Sequence, residues 1–402
     1  MKSLRRILIL LFIAALMFGS LISCGGKKET PAPEKQAAEQ STKKIKAGFI
    51  YVGPVGDYGW SNAHDVGRKY AISKLPWLET VYVESVAEGD LSRIIDRLVN
   101  EEKCDVVFTT SFGYMDDTVK AAERYKDTLF FHCSGFKRAP NLGTYFAELY
   151  QMYYLNGLMA GILTQSNKVG YVGAFPISEV IRHINAYALG VKEVNPKAKV
   201  DVRWIFSWYD PAKAKEAAQS LVAAGADALA FTEDSPAVIE VGQEHMKKGK
   251  TVYTFSHYSP MQKFGEDSVV SGQLVDWGPM YVKILTDVYN GQKDFSNYDL
   301  WWLAAEGGVL LGGEMGQPIN PKFVDLLKSK KVKSADLGEM NGYDFVMKRY
   351  EQIKANQIEP FTGPIKDQKG VERIPAGQKA DPAHLLSIEY FVDNVVGEIP
   401  RK

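Results

Sequence analysis

One pattern of strands and helices occurs twice in this chain at a fixed offset, and this repeat restricts the fold more than any other feature. The strand-like run 46–50 (KAGFI) matches 168–172 (KVGYV), an offset of 122 residues from 46 to 168. Three further strand-like runs have partners at the same offset: 81–83 with 203–205, 104–108 with 226–230 and 128–131 with 250–253. Apolar runs alternate with helical stretches in both copies, which is typical of parallel sheets with crossover helices. We therefore expect an α/β fold of two lobes, each built on a doubly wound parallel sheet.

The amino-terminal end has the features of an export signal. Three basic residues among the first six precede an apolar run over residues 7–18, which is too short for a comfortable permanent membrane span. Residues 21–24 (LISC) then resemble a bacterial lipobox; an ordinary secretory signal is the alternative. We predict a lipoprotein signal peptide over 1–24, with Cys24 as the lipid-modified residue. The polar stretch 25–44 cannot form a core, so we expect a flexible tether there.

The remaining length agrees with two lobes. About 360 residues follow the tether. A single hydrophobic core usually supports a shorter chain than this, so two lobes are expected. We place lobe 1 at 45–163 with a return segment near 276–300, and lobe 2 at 164–275 with part of 300–402.

Charge and cysteine content limit the partners and the covalent chemistry. The 48 basic residues balance the 48 acidic ones, and no basic cluster follows the leader, which argues against a nucleic-acid partner. Cys104 and Cys133 lie in strand-like runs. They could pair, but cysteines in core strands are more often buried free thiols.

The repeat also predicts where a ligand would bind. In open α/β sheets, ligands bind outside the carboxyl ends of the strands. The loops after matched strands should therefore face each other across a cleft: 53–61 with 175–178, 85–90 with 207–210, 111–117 with 233–237 and 134–138 with 256–261.

These loops are rich in aromatic and acidic side chains. They contain Tyr58, Trp60, Phe112, Tyr114, Phe136, Phe175, Trp208, Tyr209 and Tyr258, with Asp57, Glu88, Asp90, Asp210 and Asp234. Such a set suits a planar ring with N–H donors, or a sugar with apolar faces and hydroxyls. Structural roles compete for individual residues: Asp210 before Pro211 is a good helix cap, and Trp60 could belong to the core.

Signs of catalysis or of a bound cofactor are absent from the sequence. It has no GxSxG elbow, Walker loop or HExxH motif, and its six histidines lack metal-ligand spacing. The glycines of GYVGAF (170–175) lack the third glycine and the acidic residue of a dinucleotide site. We therefore expect neither catalytic residues nor a metal or cofactor.

Nine segments together resemble one family, the BMP (basic membrane protein, PnrA-like) lipoproteins, which are substrate-binding proteins of ABC importers. They are GFIYVGPVGDYGWSNAHDVGR (48–68), ESVAEGD (84–90), TTSFGYMD (109–116), FFHCSG (130–135), NGLMAG (156–161), INAYALGVKEVNP (184–196), WYDPAKAKEAA (208–218), GADALAFTEDSPA (225–237) and VDWGPMY (275–281). The resemblance implies a type I periplasmic-binding-protein fold with a hinge, which closes on a purine base or purine nucleoside. It also implies an ABC permease as partner and a lipid-anchored location outside the cytoplasmic membrane.

The resemblance also suggests the ligand-binding residues. From one side of the cleft these are Asp57, Tyr58, Trp60, Ser111, Phe112 and Tyr114, and from the other Phe175, Asn185, Trp208, Asp234, His257 and Trp277. The sequence departs from the family pattern at SHYSPM (256–261), where Pro260 replaces an acidic residue. Loss of a carboxylate that could hold ribose hydroxyls favours a free base such as adenine, or a different ring altogether.

The leading hypothesis is a monomeric receptor that captures its ligand by lobe closure. The alternatives are a surface adhesin or sensory receptor on the same fold, and a receptor for another ring such as a sugar. An exported nucleoside-processing enzyme, with Asp57 or Glu88 as general acid or base, is a further alternative, although the sequence offers no nucleophile or metal set for it.

Overall fold

The computed structural model describes residues 43–400, and the predicted signal peptide and Cys24 lie outside this range. Two separate sheets confirm the predicted two-lobe α/β architecture. The first sheet has the strand order β11-β5-β4-β3-β1-β2, and all its strands are parallel. Its strands are β1 (Ile45–Ile50), β2 (Leu78–Val83), β3 (Val106–Thr109), β4 (Leu129–Cys133), β5 (Leu142–Ala147) and β11 (Asp299–Trp302).

The second sheet repeats this arrangement. Its order is β12-β10-β9-β8-β6-β7-β17, so β6 to β10 occupy the places that β1 to β5 have in the first sheet. The strands are β6 (Lys168–Gly173), β7 (Lys199–Trp204), β8 (Ala228–Thr232), β9 (Tyr253–Tyr258), β10 (Val269–Val275), β12 (Val309–Leu311) and β17 (Val395–Val396). Of these, β12 is antiparallel to β10, and β17 extends the other edge beside β7.

Helices cover both sheets, as crossover connections require. They are α1 (Trp60–Lys74), α2 (Leu91–Asn100), α3 (Met115–Arg124), α4 (Tyr150–Leu163), α5 (Ser178–Val194), α6 (Pro211–Ala223), α7 (Ala237–Lys247), α8 (Trp277–Tyr289), α9 (Pro321–Ser329), α10 (Gly342–Lys354) and α11 (Pro382–Leu386). Two short hairpins, β13 (Lys331–Ser334) with β14 (Gly338–Asn341) and β15 (Ile365–Lys366) with β16 (Glu372–Ile374), complete the carboxyl-terminal part.

The chain passes between the lobes three times: from β5 to α4, from β10 to α8 and from β11 to β12. These passages form the hinge. Helix α4 packs closely on α5, since a Cβ at Gly157 would lie 2.1 Å from the carbonyl oxygen of Tyr187. Helix α8 returns to lobe 1 and packs on α1, where a Cβ at Gly67 would lie 2.6 Å from the Cβ of Trp277.

The first hinge passage contains a buried ion pair. The Glu148 carboxylate accepts hydrogen bonds from Arg182 and from His183 Nε2, both on α5, and all three side chains are buried. Burial alone would raise the pKa of Glu148, but the Arg182 charge and the His183 hydrogen bond lower it to about 2. Arg182 also donates to the carbonyl of Leu385 at 2.6 Å. Glu148 thus joins the hinge to lobe 2 and, through Arg182, to the carboxyl-terminal segment.

The core contains both cysteines of the described residues. Cys104, two residues before β3, and Cys133, at the end of β4, are free and buried. Between residues 43 and 400, no helix has the length and apolar character needed to cross a bilayer, and no group of three or more His, Cys, Asp or Glu residues could hold a metal ion.

Candidate ligand site between the lobes

A small cavity lies where the carboxyl ends of the two sheets face each other. Lobe 1 contributes Val52, Trp60, Ser111, Phe112 and Ser134, and lobe 2 contributes Glu179, Trp208, Asp234 and Tyr258. The space between these side chains that protein atoms leave unfilled, open solvent included, is about 280 Å³. Each lining residue belongs to a strand end, to the loop after it or to the first turn of the next helix, which is the position expected from the topology.

Aromatic rings form much of the wall and hold one another in place. Trp60 donates its indole N–H to the carbonyl of Thr110, and its ring packs edge-on against Tyr258 of the other lobe, with centroids 4.9 Å apart. On the lobe 2 side, Trp208 packs against Phe175 with centroids 5.1 Å apart. The ring of Phe112 begins a 3-10 turn after β3 and is half-buried at the cavity.

Two buried carboxyl groups give the cavity its polarity. Glu179, in the first turn of α5, has its pKa raised to about 7 by burial and by the charge of Glu148, while Arg182 and the hydroxyls of Ser134 and Tyr258 oppose the rise. Burial also raises the pKa of Asp234 well above its usual range. Glu179 can therefore gain or lose a proton near neutral pH, and Asp234 favours its protonated form.

More carboxylates surround this pair. Asp57 and Glu233 both raise the pKa of Asp234 further by their charge, and Asp57 itself has a pKa of about 6 because it is buried. Ser111 donates its hydroxyl hydrogen bond to Glu88 at 2.8 Å. The cavity is thus acidic, and within the described residues no lysine or arginine lines it.

The two lobes touch beside the cavity, so the cleft is closed. Ser259 of lobe 2 donates to the carbonyl of Gly59 of lobe 1 at 3.0 Å. The backbone N–H of Trp60 donates to Asp234 at 3.4 Å. A Cβ added to Gly59 would lie 2.6 Å from the Cα of Asp234, so the backbones of the two loops are in direct contact.

Five of the predicted ligand-binding residues line this cavity: Trp60, Ser111, Phe112, Trp208 and Asp234. They come from three matched loop pairs of the two lobes, and the structure brings them together as the repeat predicted. Phe175 does not line the cavity, and its ring packs against Trp208.

Two predicted residues of the first loop lie beside the cavity and do not line it. Asp57 accepts hydrogen bonds from the backbone N–H groups of Gly59 at 2.7 Å and of Ser61 and Asn62 at 3.0 Å. It therefore caps α1 and fixes the loop. Tyr58 points outward and keeps 37% of its surface exposed.

Four further residues from the predicted set are placed elsewhere by tertiary packing. Tyr114 is fully buried and donates to the carbonyl of Val86. Trp277 is also fully buried, stacked on His64 with centroids 4.3 Å apart.

The other two hold distant parts of the chain. Asn185 donates to the carbonyl of Tyr390 at 2.8 Å and accepts from the N–H of Val392 at 3.0 Å, so it holds the carboxyl-terminal segment. His257 Nδ1 lies 2.9 Å from the hydroxyl of Tyr153 and 3.1 Å from Gln273 Nε2, inside lobe 2.

The cavity also contains residues that the predicted set lacks, namely Val52, Ser134, Glu179 and Tyr258. Glu179 is the most consequential of them because it is a buried acid. It directly follows the predicted loop 175–178, and a carboxylate in the first helical turn also suits the helix dipole, which gives it an ordinary explanation. Its position immediately after a cleft loop was the signal that could have identified it.

Comparison with known proteins decides the family. The model of the Bmp family, ABC transporter substrate-binding proteins that are PnrA-like, matches residues 44–341. The chain belongs to this family. Its members are substrate-binding proteins, which work outside the cytoplasmic membrane and pass a small molecule to an ABC permease.

Two similar proteins differ in the ligand for which they are named. A purine-binding protein of Brucella abortus (strain 2308) is 36% identical over 366 residues, which are 90% of this chain and 96% of the relative. A Haloferax volcanii protein, provisionally assigned as the glucose-binding protein of an ABC transporter, is 33% identical over 356 residues, which are 89% of this chain and 81% of the relative.

Solved structures confirm the type I fold that the family predicts. A solute-binding protein of an ABC transporter system from Aeropyrum pernix K1 superposes with a TM-score of 0.65 at 15% identity, covering 85% of this chain and 95% of that one. Another from Conexibacter woesei gives 0.59 at 18% identity, covering 78% and 98%.

Proposed function

We propose that this protein captures a free purine base, adenine-like in its pattern of donors and acceptors, between its two lobes. The observation that carries the proposal is the cavity between the closed lobes, in which aromatic rings from both lobes flank the buried acids Glu179 and Asp234. A flat heteroaromatic ring uses both features, because its faces stack on aromatic rings and its N–H groups donate to carboxylates.

Stacking would come from the rings that both lobes bring to the cavity. Phe112 approaches from lobe 1 and Trp208 from lobe 2, so a ring between them would join the lobes. Trp60 and Tyr258 already contact each other across the cleft and would bound the ring at its edge. Base–aromatic stacking contributes about 1–3 kcal/mol per base in other proteins, which makes these rings the main source of affinity.

Recognition of the ring edge would come from the two acids. Glu179 titrates close to neutral pH, and a carboxyl group can donate a hydrogen bond when protonated and accept several when ionised. Glu179 and Asp234 could therefore match a purine edge, on which donors and acceptors alternate. A phosphorylated ligand is disfavoured because carboxyl groups line the cavity where a phosphate would need basic side chains.

The local chemistry of the cavity favours a base over a nucleoside. Tyr258, the last residue of β9, lines the cavity, and Ser259, in the loop after it, donates its hydroxyl hydrogen bond to the carbonyl of Gly59 of the other lobe. With Pro260 next in sequence, this loop has no carboxylate to hold ribose hydroxyls. The purine-binding relative from Brucella abortus supports the same ligand class.

We further propose that the receptor acts as a lipid-anchored monomer, held through Cys24 outside the cytoplasmic membrane. Closure of the lobes on the base would create the surface that the permease recognises.

The experiment that tests the proposal begins with native mass spectrometry of a protein that comprises residues 43–402. Calorimetric titration of the ligand-stripped protein follows, with adenine, guanine, hypoxanthine, adenosine, guanosine, inosine, ribose and glucose. We expect micromolar or tighter binding of a base, recovered unchanged, and weaker binding of its nucleoside. Preferential binding of glucose would support the second candidate, which the Haloferax volcanii relative suggests. Conversion of a nucleoside would contradict the receptor function.

A further inference from the structure

Tyr58 makes a contact between the lobes that lies outside the ligand cavity. Its ring, on the first loop of lobe 1, packs edge-on against Phe264 of lobe 2 with centroids 4.9 Å apart. The ammonium group of Lys263 lies 3.9 Å above the centroid of the Tyr58 ring, within cation–π distance. Lys263 and Phe264 belong to the short 3-10 turn after β9. None of the three residues lines the cavity.

The backbone around Tyr58 is shaped to present this ring outward. Tyr58 has a φ of 60°, in the left-handed region that a bulky residue rarely adopts. Asp57 stabilises this conformation, because its carboxylate accepts three backbone hydrogen bonds from the residues that follow. Strained backbone persists when surrounding interactions require it, and it often marks a functional contact. Here the strain directs a large ring away from its own lobe and onto the other one.

We propose that Tyr58, Lys263 and Phe264 form a closure latch, which sets how readily the lobes close without touching the ligand. Tyr58 is then a positioning residue for ligand capture. The contact exists only when the lobes meet, because its two halves belong to different lobes. Whatever free energy it contributes therefore goes entirely to the closed state.

A latch has a signature that a ligand-contacting residue lacks. The apparent dissociation constant of a ligand that needs the closed state is its intrinsic value divided by the closed fraction. Loss of the latch should therefore weaken every ligand by the same factor and should leave their order of affinity unchanged. An exposed cation–π contact predicts a factor of roughly two to five.

The test uses three variants: Tyr58→Ala, Tyr58→Phe and Lys263→Met. Spin labels at Lys126 of lobe 1 and Lys248 of lobe 2, both exposed and outside the latch, would report the interlobe distance of the ligand-free protein. Stopped-flow measurements would give dissociation rates for each ligand that the titration panel identifies. Tyr58→Ala should lower the closed fraction and speed dissociation roughly two- to fivefold. Tyr58→Phe keeps the ring face, so its closed fraction and its dissociation rates should stay close to those of the wild type.

Coupling between the partners completes the test. Tyr58→Ala and Lys263→Met should be non-additive in the double variant, since each removes the same contact. Three results would overturn the latch: an unchanged closed fraction together with unchanged dissociation rates, factors that differ among ligands, or a Tyr58→Phe protein that behaves like Tyr58→Ala. Only the dissociation rates rest on the proposed function. The spin-label distances are measured without ligand, so they test the latch independently of it.

Discussion

Gly59 of lobe 1 and Asp234 of lobe 2 are in backbone contact, so close that a Cβ on Gly59 would lie 2.6 Å from the Cα of Asp234. No real Cβ contact is this short. The atoms in contact belong to the backbones of both loops, which cannot move aside as a flexible side chain could. The closed cleft therefore depends on the absence of a side chain at position 59. Neighbouring Trp60 lines the cavity, so ligand contact and lobe contact arise from consecutive residues.

Gly59→Ala should block full closure of the lobes, because its Cβ would overlap the backbone of Asp234. Thermal unfolding of the same preparations would show whether the variant also loses stability. We expect ligand affinity to fall about tenfold or more, corresponding to at least ~1.4 kcal/mol, as measured by calorimetry. Gly56→Ala in the same loop is the matched control, because a Cβ there meets nothing within 4 Å. Equal affinities in the two variants would mean that the closed contact is not needed for binding.

Phe112→Ala should weaken binding of the ring by about 1–3 kcal/mol, the usual contribution of base–aromatic stacking. The half-buried ring faces the cavity, so its removal should leave unfolding stability nearly unchanged. Calorimetric titration and thermal unfolding of the same preparations would separate the two effects. Phe136→Ala is the control: this ring also belongs to a cleft loop but is 50% exposed and outside the cavity. A Phe112→Ala protein with wild-type affinity would remove Phe112 from the site.

Glu179→Gln should change how stability depends on pH. Burial raises the pKa of Glu179 to about 7 from 4.5. The folded protein thus holds this proton more tightly than the unfolded chain does. The resulting stability is complete below pH 4.5 and is lost as the pH rises through 7. This change corresponds to roughly 3 kcal/mol.

The measurement is urea unfolding of wild type and Glu179→Gln at several pH values across that window. Relative to the variant, the wild type should lose stability as the pH rises from 4.5 to 7 and then level off. Glu216→Gln, which changes an exposed glutamate of α6, should run parallel to the wild type. Parallel curves for Glu179→Gln as well would show that its carboxyl group is hydrated in the folded state.

Glu148→Gln should be strongly destabilising, because it leaves Arg182 buried at the hinge without its counter-charge. Breaking one half of a buried ion pair typically costs about 3–5 kcal/mol, which denaturant unfolding at neutral pH would reveal. Glu339→Gln removes one half of the exposed pair with Lys331 and should cost about 0–1 kcal/mol. Similar losses in the two variants would indicate that water reaches the hinge pair.

The fold was predictable from sequence because its evidence is periodic. Buried parallel strands read as apolar runs, and the second copy repeats them at a constant offset. The strand β6 (Lys168–Gly173) begins where the repeat of 46–50 predicts. The loops at the strand ends followed from topology alone, which is why Ser111, Trp208 and Asp234 were predicted in the region where the cavity lies.

The site itself depends on side-chain directions that no local pattern contains. The partners of Asn185 lie more than 200 residues away, 205 positions along the chain at Tyr390 and 207 at Val392. Tyr114 and Trp277 have the residue types of a ring-binding site, but neighbours from other elements enclose them. The orientation of Tyr58 follows from its left-handed backbone conformation. Tyrosine rarely adopts this conformation, so the sequence does not predict it.

The strand that completes each sheet comes late in the chain. Lobe 1 receives its edge strand β11 (Asp299–Trp302) only after the chain has passed through lobe 2, and lobe 2 receives β17 (Val395–Val396) from the last described residues. The first sheet reaches its full width only when residue 302 has been synthesised and the second only when residue 396 has, and such distant pairings slow folding. The two lobes are consequently not interchangeable modules that could be expressed apart. A truncation near residue 300 would remove edge strands from both lobes.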